Sequence, residues 1–292
     1  MTRMAWLLAA IAALAACGGE PPSPYRGALY YGNGAYLMRL GLQTGEVSVA
    51  GHLGDTVIRE VSTYSGEYLL IAETNTVNRR RVPRIAWFNR RTGEKGDFYG
   101  GVRARFLAAA EVMVYDDGNS LFAVPSEDRS TNQLIMAHSG AALTAMIEAA
   151  PGLLLLETLR DGAATIHSWD GHSGELQALD ALSSTCRLEG AVWIDAMERL
   201  ACAPRDGDAS APWLLTDLAA EAPRPLGLPA DRAFRPLAYL DDQRALVLQE
   251  SRDKLLGGGA RHSAWLYAID SGELVHLADD VSLGRSVAYA EY

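Results

Sequence analysis

The 292-residue chain lacks a surplus of positive charge: 26 Lys and Arg stand against 36 Asp and Glu, a formal net charge of −10. General binding to nucleic acid needs a basic surface to neutralise phosphates, so that class is excluded and only a local basic patch stays open. The chain also lacks an apolar run of spanning length. Met4–Ala16 holds 13 residues, whereas a transmembrane helix needs roughly 20 to cross about 30 Å of hydrocarbon. From Gly27 to Ala50 no apolar pattern keeps a 3.6-residue period beyond a turn or two, so no helix of ordinary length is expected there. Catalytic signatures are missing as well: His-Glu-x-x-His, Cys-x-x-Cys, Gly-x-Ser-x-Gly and the phosphate-binding Gly-x-x-x-x-Gly-Lys-Ser/Thr are all absent. The sequence therefore nominates no catalytic residue, no metal ligand and no cofactor.

What is present is a repeat. Ala264–Leu277 reads as two short strands joined by the polar turn Asp270-Ser271-Gly272-Glu273, and looser copies recur five more times. The Gly of the turn supplies the backbone freedom of a tight reversal, and the flanks carry the aromatic and apolar residues of half-buried strands. Within a unit the interval from first turn to second is 22 residues for Gly118 to Gly140, Gly152 to Gly174, and Met197 to Ala219. It lengthens to 27 for Gly66 to Gly93 and to 29 for Gln243 to Gly272. Periods of about 40–50 residues with four strands each point to a β-propeller. The turn in Val114-Tyr115-Asp116-Asp117-Gly118-Asn119-Ser120-Leu121-Phe122 resembles that of WD40-like and TolB-type propellers. Six units are counted. The first, from Gly27, has three strands and the C-terminus has one to spare, so Ser286–Tyr292 is expected to close the ring as the innermost strand of the first blade. A β-sandwich of irregular hairpins is the alternative architecture.

Residues 1–16 have the form of an export signal, with Arg3 before the apolar run. Leu14-Ala15-Ala16-Cys17-Gly18 resembles the bacterial lipoprotein lipobox, which implies lipidation of Cys17 and attachment to a membrane of the cell envelope. Residues 17–26, which include Gly18-Gly19-Glu20-Pro21-Pro22-Ser23-Pro24, then form a tether, and 27–292 form one propeller domain.

Cys186 and Cys202 remain, an even pair in an exported chain. Simple hairpin register argues against a bond. A turn at Asp195–Glu198 sets Cys202 opposite about Ala191, five residues short of Cys186, beyond the ~7 Å reach of a disulfide unless the chain folds back. Both states stay open. The run Gly171-His172-Ser173-Gly174 looks like a nucleophile elbow, but its Ser falls at the turn position of the repeat. His138 and His172 fall on different blades and are expected to be too far apart to share a metal. Asp116-Asp117-Gly118-Asn119 is read as a turn before it is read as a calcium loop.

The extra residues in units two and six fall between the second and third strands, on one face of the ring and on either side of the closing blade. They carry Arg79, Arg80, Arg81 and Arg84, then Arg252, Lys254, Arg261 and His262, and nearby blade links add Arg59, Arg103, Arg105 and Arg285. A basic rim on an acidic protein is the expected ligand face, suited to carboxylate or phosphate through guanidinium forks. The alternative is that these arginines pair with local acids. The functional expectation is a monomeric, lipid-anchored, non-catalytic module that binds a protein or an anionic envelope ligand. The competing expectation is a lactonase- or sugar-dehydrogenase-like enzyme that uses the central channel.

Overall fold

The computed structural model describes residues 23–127, 130–138, 140–207, 211–252 and 260–291. The signal segment, Cys17 and Lys254 lie outside the described residues. Blade 1 contains β1 (Ala28–Asn33), β2 (Tyr36–Gly41) and β3 (Val47–His52). Blade 2 follows with β4 (Thr56–Ser65), β5 (Tyr68–Val77), β6 (Arg80–Asn89) and β7 (Lys95–Tyr99). Blade 3 is β8 (Arg103–Leu107), β9 (Val112–Asp116), β10 (Ser120–Pro125) and β11 (Gln133–Ala137). Blade 4 is β12 (Ala142–Ala150), β13 (Leu153–Arg160), β14 (Ala163–Asp170) and β15 (Leu176–Ala178). A short helix, α1 (Asp180–Thr185), leads to blade 5: β16 (Cys186–Ile194), β17 (Arg199–Pro204), β18 (Leu214–Thr216) and β19 (Arg224–Pro225). Blade 6 is β20 (Ala233–Leu240), β21 (Ala245–Arg252), β22 (Arg261–Ala268) and β23 (Leu274–Asp279), and β24 (Ala288–Ala290) ends the chain.

Each blade is a four-stranded antiparallel sheet, and β24 pairs with β1 as the innermost strand of blade 1, with Ala28 opposite Ala290. The molecule is a six-bladed β-propeller closed by its own C-terminal strand. Closure pairs the backbone edges that an open ring would expose. No single core fills it. Six apolar clusters sit one at each blade junction, from Leu29, Leu40, Val247 and Leu266 between blades 1 and 6 to Leu70, Ile85, Met113 and Tyr115 between blades 2 and 3. Each blade is therefore buried on both faces, and most of its stabilisation comes from its neighbours.

Blade 3 corrects the expected strand assignment. By its pattern of apolar residues Phe106–Tyr115 reads as one strand that opens the third unit, but a 3-10 turn at Ala108–Ala110 divides it, with Glu111 left-handed at φ 52°. Asp117-Gly118-Asn119 thus joins the second strand to the third, and the strand that the repeat count places last in unit three, Ala141–Ile147, belongs to Ala142–Ala150, the innermost strand of blade 4. The 22-residue interval from Gly118 to Gly140 accordingly spans two connections on the opposite face from the other turns counted with it. Asp116 and Asp117 act as turn residues: Asp116 Oδ1 accepts from Gly118 N–H at 2.7 Å, and Asp117 Oδ1 from Asn119 and Ser120 N–H at 2.8 Å.

Blade 5 departs from simple register. Between the pairs Arg187↔Ala203 and Val192↔Ala201, four residues of β16 stand opposite Cys202 alone. This bulge turns on Gly190 at φ 76°, a value that favours glycine. It draws Cys186 back beside Cys202, with Cα atoms 5.7 Å apart, and the two are joined in a disulfide. No helix among the described residues is long and apolar enough to cross a membrane.

Candidate functional site

The innermost strands run in one direction around the ring, so the central channel has two distinct ends. One end, here the link face, carries the blade-to-blade connections and the second-to-third hairpins. The other, the turn face, carries the first and third turns of each blade. A cavity of about 650 Å³ occupies the channel and is lined by residues of β4, β8, β12, β16, β20 and the segment Arg285–Val287. A recess of about 390 Å³ opens beside it on the link face, between Gly32, Arg59, Arg103 and Arg285. Volumes of this order suit small ligands or a short chain segment.

At the link-face end, four guanidiniums (Arg103, Arg105, Arg235 and Arg285) share the lining with two carboxylates, Glu60 and Glu189. Arg103 donates from Nε to Glu60 Oε1 at 2.9 Å and from Nη1 to the Leu143 carbonyl at 2.9 Å, tying blade 3 to blades 2 and 4. Arg105 Nη1 reaches Glu60 Oε2 at 3.1 Å. Burial alone would raise the Glu60 carboxyl, but Arg105 and Arg103 outweigh it and hold it below the usual range. Arg235 donates to the Gly284 carbonyl across the closing seam. Burial pulls its guanidinium down from the ordinary value, Glu189 opposes this, and Arg285 adds to it. Among the described residues Arg285 itself has no side-chain hydrogen-bond or ion-pair partner. Next to it, Ser286 Oγ accepts from Val61 N–H at 2.9 Å and holds the link in place.

The turn-face end is different in kind. Tyr64, Phe106, Trp193 and Tyr239 line it together with Glu148 and Asp195. Burial raises the Glu148 carboxyl although it accepts from Gly152 N–H at 3.3 Å, and Asp195 adds to the rise. Asp195 is raised by burial and then by Asp241. Among the described residues, no three His, Cys, Asp or Glu side chains come together in a way that could hold a metal ion.

The expected basic rim divides. Arg79, Arg80 and Arg81 are exposed at the tip of the long β5–β6 hairpin, and their side chains find no partner among the described residues. Asn78 and Arg79 both have positive φ, 49° and 63°, as a two-residue hairpin turn requires. Arg84 is committed instead to Glu73 and to Asp97, the latter at 2.9 Å. Arg252 pairs with Glu250 at 2.7 Å, and Arg261 stands 4.0 Å from Asp280. Arg103 and Arg105 belong to the channel, not to the rim. The structure thus groups Arg103, Arg105 and Arg285 at the channel mouth, and leaves Arg79–Arg81 on a separate projection. Arg235 was missed from sequence. Its only signal was its place two residues into an innermost strand, equivalent to Arg103 and Arg105 in blade 3, which becomes visible once strand order is known. His138 is a buried partner of Asp116, Nε2 to Oδ1 3.0 Å.

No family model matches the sequence. No curated protein matches it. Solved structures do match in fold. A chain of the nidogen/laminin complex superposes with a TM-score of 0.64 at 12% identity, over 90% of this chain and 98% of the other. TolB from Acinetobacter baumannii gives 0.58 at 14% identity, over 90% of this chain and 66% of TolB. A puromycin-hydrolyzing peptidase from Mycobacterium tuberculosis gives 0.56 at 13% identity, over 91% of this chain and 46% of the peptidase. At these identities the likeness is one of fold. It places the chain among six-bladed propellers, a class that serves both binding proteins and enzymes.

Proposed function

We propose that this chain is an exported protein held to the bacterial cell envelope by a lipid on Cys17. Its propeller binds a protein partner or envelope ligand, without catalysis, through an anionic group seated at the link-face mouth of the channel. The observation that carries this reading is the charge imbalance there: four guanidiniums against two carboxylates, with Arg285 unpaired and Arg235 desolvated. Arg285 is exposed and Arg235 partly desolvated, so a bound carboxylate or phosphate would gain charge-assisted hydrogen bonds from the first and offset the desolvation of the second. The lipobox-like Leu14–Gly18 supports the address. The likeness to TolB and to a chain of the nidogen/laminin complex fits a binding role. The Arg79–Arg81 projection rises from the same face and offers such a partner a second, exposed set of cations.

The test is calorimetric titration of the full-length protein with inorganic phosphate and with citrate, so that the two anion sources are distinguished. Saturable, salt-sensitive binding of one or both is expected, weakened about tenfold in Arg285→Ala, the loss of one charge-assisted contact. Because Arg285 supports no other described residue, the melting temperature of that variant should not move. If neither anion binds, or if Arg285→Ala binds as the wild type does, the mouth is not an anion site.

A further inference from the structure

The turn-face end of the channel carries chemistry opposite to that of the mouth, and register shows that it is built in a single layer. In blades 3, 5 and 6 the last residue but one of the innermost strand is aromatic, and each pairs with the same position of the next strand. Phe106 faces Met113, Trp193 faces Leu200, and Tyr239 faces Leu246. Tyr64 reaches the layer from blade 2, where a register shift between Thr63 and Ser65 leaves it extra to the ladder. Its ring stands edge-on to Phe106 with centroids 4.8 Å apart. Blade 4 breaks the pattern: at the equivalent position, opposite Leu154, it has Glu148. Four aromatic side chains and one carboxylate thus share one storey of the cavity, and Asp195 stands at its rim.

Tyr64 and Phe106 pack with one side on the cluster between blades 2 and 3, Trp193 on that between blades 4 and 5, and Tyr239 on that between blades 5 and 6, and all four still line the cavity. Tyr64, Phe106, Trp193, Tyr239 and Glu148 are all only partly buried, so their faces are presented to the channel. Among the described residues the Tyr239 hydroxyl is enclosed without a hydrogen-bond partner. Among the described residues no Lys or Arg forms an ion pair with Glu148 or Asp195. Arg105, whose charge acts on Glu148, is itself engaged by Glu60. Aromatic faces around a carboxylate in a partly desolvated recess attract an organic cation, through the ring quadrupoles and the opposite charge together.

We infer that this layer is a binding site for an organic ammonium group, with Tyr64, Phe106, Trp193 and Tyr239 as its walls and Glu148 as its counter-charge. The inference rests on the reading of the channel as a ligand site but uses none of the arginines. Three residues of strand, about 10 Å, separate Arg103 from the Phe106 storey. A ligand that fills both ends is therefore an extended zwitterion, such as a peptide segment with an amine and a carboxylate that far apart.

The probe is choline, titrated calorimetrically into the full-length protein beside 3,3-dimethylbutanol, its neutral isostere. Saturable choline binding at millimolar concentration or below is expected, with the isostere at least about tenfold weaker. Trp193→Ala and Glu148→Gln should each weaken choline by about fivefold to tenfold, with Glu148→Gln acting as the variant that preserves shape. No choline binding, equal binding of the isostere, or unchanged affinity in Glu148→Gln would overturn the inference. Phosphate binding at the mouth separates the two claims. If phosphate binds and choline does not, only the ammonium site fails. If choline binds and phosphate does not, only the anionic mouth fails.

Discussion

Blades 4 and 5 are neighbours built from the same repeat, and they are held together by different chemistry. Blade 4 has long inner strands, β12 and β13, whose ladder runs from Ala142↔Leu159 to Ala150↔Leu153. Its second strand carries a buried carboxylate, Glu157, which accepts from Thr144 Oγ1 at 2.9 Å and from Arg205 at 2.5 Å. Blades 2, 3 and 6 repeat the device with Glu73, Asp116 and Glu250, each buried and each matched to a basic partner. Blade 5 has no such acid. Its outer strands shrink to Leu214–Thr216 and Arg224–Pro225, its inner strand bulges, and the Cys186–Cys202 bond spans the bulge. It also lends Arg205 to Glu157 of blade 4. The comparison teaches that a blade with a weak hydrogen-bond ladder is kept in place by a covalent tie on one side and an ion pair with its neighbour on the other.

The sharpest way to break that arrangement is Arg205→Ala. It strands Glu157 without its cation and cuts the anchor of blade 5, and loss of one partner of a buried pair costs about 3–5 kcal/mol. Chemical denaturation should show a single shifted transition; a loss below about 1 kcal/mol would mean that the pair is idle. Next comes Cys202→Ser, or reduction. The bond closes a loop of 16 residues, so about 3 kcal/mol should be lost, together with faster exchange of blade 5 amides than of blade 4 amides. Uniform exchange would show that the tie supports the whole ring and not blade 5 in particular. The smallest effect is that of pH. Hydrogen bonds from Arg232, opposed by burial and helped by Arg252, lower the Glu250 carboxyl from 4.5 to about 2. A carboxyl lowered by folding contributes its full stability above the unfolded value and loses it as pH falls from there towards the folded one. Melting temperature should therefore decline between about pH 4.5 and 2, and Glu250→Gln should lower it at neutral pH while flattening part of that decline. The disulfide's contribution should not change over that window. A variant with the wild-type slope would assign the acid sensitivity to other carboxylates.

Much of the ring was legible because its signals are local and periodic. Polar turns at regular spacing, strand-length apolar runs and an unpaired terminal strand were enough to count six blades and place the closure at Ser286–Tyr292. Blade 3 was misread for a physical reason. Its first turn is Ala108-Ala109-Ala110-Glu111, a 3-10 turn without glycine that looks like continuing strand, while the glycine-bearing turn lies on the other face. The cysteine geometry was hidden by a four-residue bulge, since register cannot be extrapolated past an insertion. Charged residues were easy to find and their partners were not. Arg84 and Arg252 lie on strands β6 and β21 beside the long hairpin connections, and their acids, Glu73 on the adjacent strand β5 and Glu250 two residues earlier on β21, decide what is left for a ligand. The aromatic storey was invisible for the same cause, because Tyr64, Phe106, Trp193 and Tyr239 are equivalent only once the strand order is known.

The strap before β1 gives the molecule an orientation. Arg26 N–H donates to Gln243 Oε1 at 2.8 Å, Gln243 Nε2 donates back to the Arg26 carbonyl at 2.9 Å, and Ser23 N–H bonds to the Gln43 carbonyl at 3.1 Å. All of these contacts lie on the turn face, so residues 23–26 are fixed there. Five residues lie between Cys17 and Ser23, a span of at most about 20 Å of chain. If Cys17 holds a lipid, the ring is docked like a buoy on a short mooring. With that proposed anchor the aromatic storey would face the bilayer, and the arginine mouth and the Arg79–Arg81 projection would face the aqueous side, where a partner would meet them first.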